Sequence, residues 1–172
     1  GGQLCMASVT GFKKELLNLI RYQQRQIERF GVNLHLGVEA TAELVRREKP
    51  DEVILSTGSV PVKPRIPGIE RDMVLMLPDI LNGHRPASRK AVVLGGGATG
   101  CEVAHYLADH GSEVTIVEQL PKLAEQLESI TRKVLLRDLR EKKVRMLTGC
   151  RISSKPSWLT PPKCGCCAGC CA

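Results

Sequence analysis

The stretch from Ala91 to Glu118, AVVLGGGATGCEVAHYLADHGSEVTIVE, restricts what this chain can fold into more than any other. Ala91 to Leu94 is a short apolar run bounded by turn residues, the pattern of a strand buried on both faces of a parallel sheet. Gly95, Gly97 and Gly100 follow at the spacing GxGxxG. The first glycine permits a tight turn, the second lets a pyrophosphate approach the backbone, and the third lets helix and strand pack closely. The whole turn, Gly95, Gly96, Gly97, Ala98, Thr99 and Gly100, opens into a helix whose free N–H groups and partial positive charge suit an anion. Val103, Ala104, Leu107 and Ala108 form its expected buried stripe, and Gly111 stops it, with His110 beside the negative end of the dipole. Val114 to Val117 is a second strand. Glu118 ends it, 118 − 95 = 23 residues after the first glycine, about where a carboxylate meets the ribose hydroxyls of a dinucleotide. Three glycines at this spacing also occur in plain turns. It is the order strand, motif, amphipathic helix, strand and acid that predicts a dinucleotide-binding βαβ unit, against the alternative of a βαβ unit that binds nothing.

Composition narrows the partners. With 172 residues, 42% hydrophobic and 25% charged, the chain has room for one ordinary domain or parts of two. No apolar run approaches the ~20 residues of a membrane span, so no membrane partner is expected. The net charge of +7 is spread over helix faces among acids, and aromatics are only 3%, which argues against a nucleic-acid platform. The start, GGQLCMASVT, has neither an initiator Met nor a basic segment followed by an apolar one, and reads as the middle of something longer. Cys5, Cys101 and Cys150 are scattered, as expected of small buried hydrophobes in a cytoplasmic protein.

Before the glycine motif, GGQL reads as a glycine turn. Phe12, Leu16, Leu19, Ile20, Ile27 and Phe30 then recur at helical spacing, which predicts one long amphipathic helix closed by Gly31. Val32 to Leu36 predicts a short strand, Thr41 to Lys49 fits either strand or short helix, and Asp51 to Ser56 predicts a buried strand. Pro61, Pro64, Pro67 and Gly68 then force an extended crossing between modules. Asp72 to Leu77 suits another strand, Pro78 to Leu81 a turn of helix, and Asn82 to Ser88 a loop. After Glu118, a loop with Pro121 precedes a helix with the stripe Ile130, Val134, Leu135 and Leu139, and Val144 to Leu147 is a third strand.

The end of the chain changes character. Five cysteines (Cys164, Cys166, Cys167, Cys170, Cys171) crowd its last nine residues among Ser, Pro and Gly, a composition that cannot build a packed core. Clustered thiolates can bind zinc or copper(I), so a metal-binding segment is one reading. The other, preferred here, is a disordered end that holds no metal.

Three separated stretches carry a family resemblance: GGQL with ASVTGFKKELLNLIRYQQRQIERFGV, then PDEVILSTGSVPVKPRIPG, then VVLGGGATGCEVAHYLADHGSEVTIVE. Together they resemble the pyridine-nucleotide-linked flavoprotein reductases. The subgroup is the carboxy-terminal part of the NADH:flavin oxidoreductases that include 2,4-dienoyl-CoA reductase and trimethylamine dehydrogenase. The resemblance covers about residues 1–147 and implies an FAD domain interrupted by an NAD(P)H domain. It places Gly2 and Gln3 in the turn after the first ribose-binding acid, Thr57 and Gly58 against the flavin nucleotide, and Glu102 close to the nicotinamide. For Glu102 an acid that merely favours the helix dipole is the plain alternative. The family's first glycine motif and its later GD motif are missing from these residues, as are the FMN barrel and the iron–sulfur cysteines of the multidomain members.

The expected fold is therefore α/β, a Rossmann-like FAD/NAD(P)-binding fold incomplete at both ends. Residues 1–88 would be a partial FAD-binding domain and crossover, 89–150 half of an inserted NAD(P)H-binding Rossmann domain, and 151–172 the Cys-rich tail. The resemblance implies hydride transfer from NAD(P)H, with NADH favoured because of Glu118, to FAD in the intact parent, whose partners would be the missing FMN and iron–sulfur domains. No side chain here need act as a nucleophile or general base. His35, His84, His105 and His110 are each expected at the surface or capping a helix. The rival readings are a non-catalytic nucleotide-binding fragment and a truncated product without stable function.

Overall fold

The computed structural model describes residues 2–82 and 88–150. The chain divides into two compact units, Gly1–Val60 and Pro61–Ala172.

The first unit is built on two helices, α1 (Gly2–Ala7) and α2 (Leu16–Arg29), packed on each other. GGQL thus opens a helix where a glycine turn was expected, and its helical positions run on to Ala7. Two hydroxyls close that helix: Ser8 Oγ donates to the Cys5 carbonyl at 2.6 Å and Thr10 Oγ1 to that of Ala7 at 2.8 Å. The predicted long helix is split. Thr10 is extended and Gly11–Lys13 forms a single 3-10 turn, because glycine is a poor helix former, so α2 starts only at Leu16. Its end is as read. Gly31, at φ +63°, donates to the Glu28 carbonyl and Val32 to that of Ile27, the paired bonds of a Schellman cap.

A short helix α3 (Ala42–Glu48) resolves the ambiguity after Gly37. Thr41 caps it through a 3.2 Å bond from the Leu44 N–H, and Lys49 leaves it in the left-handed conformation just before Pro50. The two predicted strands of this unit do not form. Val32 to Leu36 and Asp51 to Ser56 are irregular and exposed, Ile54 by 86%. β-branched residues favour a strand only where a neighbouring strand and a covered face receive them, and no described residue pairs with either segment.

The second unit begins with irregular chain. The strand expected over Asp72 to Leu77 is a set of turns, and α4 (Leu77–Leu81) follows. Asp79 accepts from the Met76 N–H at 2.8 Å and so closes that helix start. Beyond it come β1 (Lys90–Leu94), α5 (Ala98–Asp109), β2 (Glu113–Val117), α6 (Ser129–Glu141) and β3 (Arg145–Leu147). The three strands are parallel in the order β1-β2-β3, with Val92 opposite Thr115 and Ile116 opposite Met146. This is the β-α-β-α-β succession of an α/β nucleotide fold. Its core lies on one side of the sheet, where Cys101, Ala104 and Leu107 of α5 meet Val114 and Ile116 of β2 and Leu135, Leu136 and Leu139 of α6.

Two burial expectations change. β1 is covered on one face only: Ala91 and Val93 pack on the core, whereas Val92 is 63% exposed. In α6, Ile130 and Val134 are exposed and Leu136 takes their place inside. Ile130 stands nine steps of about 100° from the fully buried Leu139, which puts it half a turn away, so the two cannot share a face. Among the described residues no helix is long and apolar enough to cross a membrane.

Candidate functional site

The turn between β1 and α5 is made by glycines for two separate reasons. Gly95 adopts φ +99°, a conformation side chains avoid, and its N–H donates to the Val117 carbonyl at 2.9 Å, which ties the turn to the end of β2. Gly100 sits one helical turn on, where a Cβ would fall 1.9 Å from the Gly95 carbonyl oxygen. Any side chain there would push the helix off the turn. Gly97 is the residue before the helix, in extended conformation, and no side chain caps the helix behind it. The first N–H groups of α5 therefore point out unpaired into the mouth of the turn. No acid occupies the first turn of the helix to neutralise them. Such an end fits the phosphates of a dinucleotide.

Glu118 follows β2 and is 8% exposed. Its carboxylate reaches back across the turn: Oε2 accepts from the Gly96 N–H at 2.6 Å and Oε1 from the Leu120 N–H at 2.8 Å. The Leu120 N–H, with those of Gly96 and Gln119, outweighs the cost of burial and holds the carboxyl below the usual glutamate range. A carboxylate offers about four acceptor positions, so acceptor capacity remains for hydroxyl groups.

The segment from Gln119 to Glu128 closes the back of the turn and carries residues that sequence reasoning passed over. Ala124 N–H donates to the Gly96 carbonyl at 2.7 Å, and Leu123 and Ala124 are both buried. Arg132 of α6 fixes the same segment by a 2.7 Å bond from Nε to the Leu123 carbonyl. Glu128 then caps α6 on the Ile130 and Thr131 N–H groups. The available signal was Leu123, Ala124 and Leu127, apolar residues within the loop. Lys122 faces outward and pairs with Glu125 at 3.6 Å.

Cys101 is wholly buried below the turn, its Sγ 3.4 Å from the Gly96 carbonyl. Burial first, then the charges of Glu118 and Glu102, pushes its thiol up to about 11, against a smaller opposing effect of Arg132. It is a neutral packing group and not a nucleophile. Cys5, expected inside, is exposed. Glu102 lies half-buried in the second turn of α5.

Among the histidines, His105 departs from expectation. It is buried on α5 with Nδ1 3.1 Å from Asp109 Oδ2, and Asp109 also pairs with Lys142 beyond the end of α6. His110 does cap its helix, Nδ1 lying 2.7 Å from the Tyr106 carbonyl, and His35 is exposed. His84 and the tail cysteines lie outside the described residues.

In the first unit, Gln3 Nε2 donates to the Ser59 carbonyl at 3.1 Å and to Ser59 Oγ at 2.6 Å. This holds the start of α1, with Gly2 and Gln3, beside the Thr57-Gly58 turn, where Gly58 has φ +77°. The four residues named there from the sequence are thus neighbours.

Residues 33–155 match the sequence profile described as pyridine nucleotide-disulphide oxidoreductase. The chain is 43% identical over 136 residues to an NADH oxidase of Thermoanaerobacter brockii, covering 77% of this chain and 21% of that protein. It is 35% identical over 154 residues to a bilirubin reductase of Mediterraneibacter gnavus, covering 90% and 24%. A solved 2-naphthoyl-CoA reductase in complex with 2-naphthoyl-CoA superimposes with a TM-score of 0.83 at 29% identity, over 89% of this chain and 23% of that one. The chain thus spans between a fifth and a quarter of the length of each.

Proposed function

Because the chain belongs to the pyridine nucleotide-disulphide oxidoreductase family, whose members bind FAD and NAD(P)H, we propose that the β1-α5-β2 unit is its nicotinamide-dinucleotide site. The observation that carries this reading is the uncapped, acid-free start of α5 behind a turn that only glycine can make. Gly95 and Gly100 hold the turn, and the N–H groups from Ala98 onward receive the pyrophosphate. Glu118 accepts hydrogen bonds from the ribose hydroxyls with the oxygen positions its backbone bonds leave over. Glu102, one turn deeper in α5, borders the nicotinamide side. Gly2, Gln3, Thr57 and Gly58 border the flavin nucleotide. Residues 1–88 then belong to the FAD side and 89–150 to the NAD(P)H side.

The reaction of the whole protein is, on this reading, hydride transfer from NADH to FAD in the manner of the NADH:flavin oxidoreductases. The bound nicotinamide supplies the hydride and the flavin accepts it. This chain's residues contribute binding and position, and none of them need act as a nucleophile or general base. The relatives named as an NADH oxidase and a 2-naphthoyl-CoA reductase support this subgroup, whose further FMN and iron–sulfur domains are the proposed partners. A cytoplasmic, reducing location suits the three described cysteines, all of them free thiols.

Preference for NADH rests on Glu118. A 2′-phosphate about 4 Å from this carboxylate costs about 1 kcal/mol in water and about 4 at an intermediate dielectric, limits that bracket a preference of roughly ten-fold to several hundred-fold. Lys122, the nearest cation in sequence, is already paired with Glu125. The test is the ratio of NADH to NADPH affinity in the whole protein and in Glu118→Ala. The substitution should narrow the ratio, and equal affinities in the unsubstituted protein would refute the preference.

A further inference from the structure

Above Gly97 stands a side chain that neither the glycine motif nor the family description assigns. A Cβ built on Gly97 would lie 3.7 Å from Gln126 Oε1 and 3.8 Å from Gln126 Nε2, with no nearer group around it. The space over the glycine that admits a pyrophosphate is therefore bounded by one polar group, a carboxamide with two N–H donors. Among the described residues that carboxamide makes no hydrogen bond. Its backbone, by contrast, is fixed on both sides. Ala124 N–H is bonded to the Gly96 carbonyl, Leu127 N–H to the Ala124 carbonyl at 3.1 Å, and Leu127 packs on the core. Arg132 holds the Leu123 carbonyl. The carboxamide is thus carried at the edge of the turn on a rigid support, while its own torsions stay free to turn the N–H groups toward an anion.

We propose that Gln126 is a contact residue for the diphosphate of the bound dinucleotide, donating from Nε2 on the side opposite the N–H groups of α5. The proposal rests on the dinucleotide reading of the glycine turn. A diphosphate lying between the helix start and Gln126 receives donors from both sides, and the neutral amide adds this without a second charge next to Glu118. The contact is made to the diphosphate and is therefore shared by every ligand that contains it.

Titration calorimetry on the full chain with NADH and with ADP-ribose, and a chemical-shift titration with adenosine, test it. Gln126→Ala should weaken NADH and ADP-ribose alike, by about two- to ten-fold for the loss of one hydrogen bond, and leave adenosine unchanged. Gln126→Glu should weaken both further, with a loss that shrinks as salt is raised. Lys122→Ala, in the same loop, should leave the NADH and ADP-ribose affinities as they are, and the thermal midpoints of all three variants should match the parent. Unchanged NADH affinity in both Gln126 variants overturns the contact. A loss for NADH without one for ADP-ribose, or an equal loss for adenosine, overturns its assignment to the diphosphate. If the unsubstituted chain binds none of the three ligands, it is the dinucleotide reading itself that fails.

Discussion

Removing the Glu118 carboxylate should destabilise the second unit before any cofactor is considered. The carboxylate bonds two backbone N–H groups, Gly96 at 2.6 Å and Leu120 at 2.8 Å, and is itself buried. Hydrogen bonds to a charged group contribute about 1.5–3 kcal/mol each, and an N–H stranded in a buried turn costs about 1–3. Allowing for water reaching Leu120, which is exposed, Glu118→Ala should lose about 2–4 kcal/mol. Glu118→Gln keeps one acceptor but sets an amide NH2 against the other N–H, and should fall between. The pH dependence has a definite sign. The folded-state pKa is lowered from the ordinary 4.5, so the folded protein binds fewer protons than the unfolded one through that region. Stability from this group is present above the ordinary value and is lost as the pH falls through the folded-state one. Urea denaturation of the cofactor-free chain, followed at pH 7 and at steps below pH 5, measures both effects. Glu118→Ala should show a lower midpoint at pH 7 and a shallower decline in acid than the parent. Identical midpoints at pH 7 would refute the carboxylate's role as a brace of the turn.

Other perturbations probe the rest of the site. Gly100→Ala drives a methyl group into the Gly95 carbonyl and should cost about 3 kcal/mol, at the upper end of overpacking, read as a shift in the urea midpoint. Cys101 should resist alkylation at pH 8 in the native chain, being buried and only about one part in a thousand thiolate, while exposed Cys5 is labelled; peptide mapping after a timed iodoacetamide pulse reports it, and equal labelling would contradict the burial. Lys142→Ala removes the partner of Asp109 and, both groups being about one-third exposed, should cost no more than about 1 kcal/mol, again by urea. Added FAD should not survive desalting of this chain, since a visible flavin band at stoichiometric yield needs a pyrophosphate cradle beyond Gly2, Gln3, Thr57 and Gly58.

The sheet and its glycine turn were legible because local signals and tertiary partners coincide there. Val114 to Val117 is apolar, lies between two helices in sequence, and finds both β1 and β3 as neighbours. The segments that misled are those that find no strand partner among the described residues. Val53, Ile54 and Leu55 are as apolar as Val92, Val93 and Leu94 of β1, but a strand exists only when another strand accepts its N–H and C=O groups. Ile130 misled for a different reason: an apolar residue near a helix start was counted into a stripe it cannot share with Leu139. At the site, Gly95, Gly100 and Glu118 were readable from spacing. Gln126 was not, because it stands in a loop that has no period to read, and neither was Arg132, which reaches that loop from α6.

Gly96 has consequences for the order in which the protein assembles. Among the described residues every strand pairing joins neighbours in sequence, Lys90 with Glu113 and Thr115 with Arg145, and each intervening loop is filled by a helix. Closing either loop is therefore of similar entropic difficulty, and β1, α5 and β2 can pair as soon as they leave the ribosome. The N–H and carbonyl of Gly96, however, wait for Glu118 and Ala124, which lie beyond β2. We expect the glycine turn to mature after the parallel βαβ unit that carries it. In pulsed hydrogen exchange, protection at Gly96 should then trail that at Ile116, and simultaneous protection would mean that the turn is shaped by its own glycines alone.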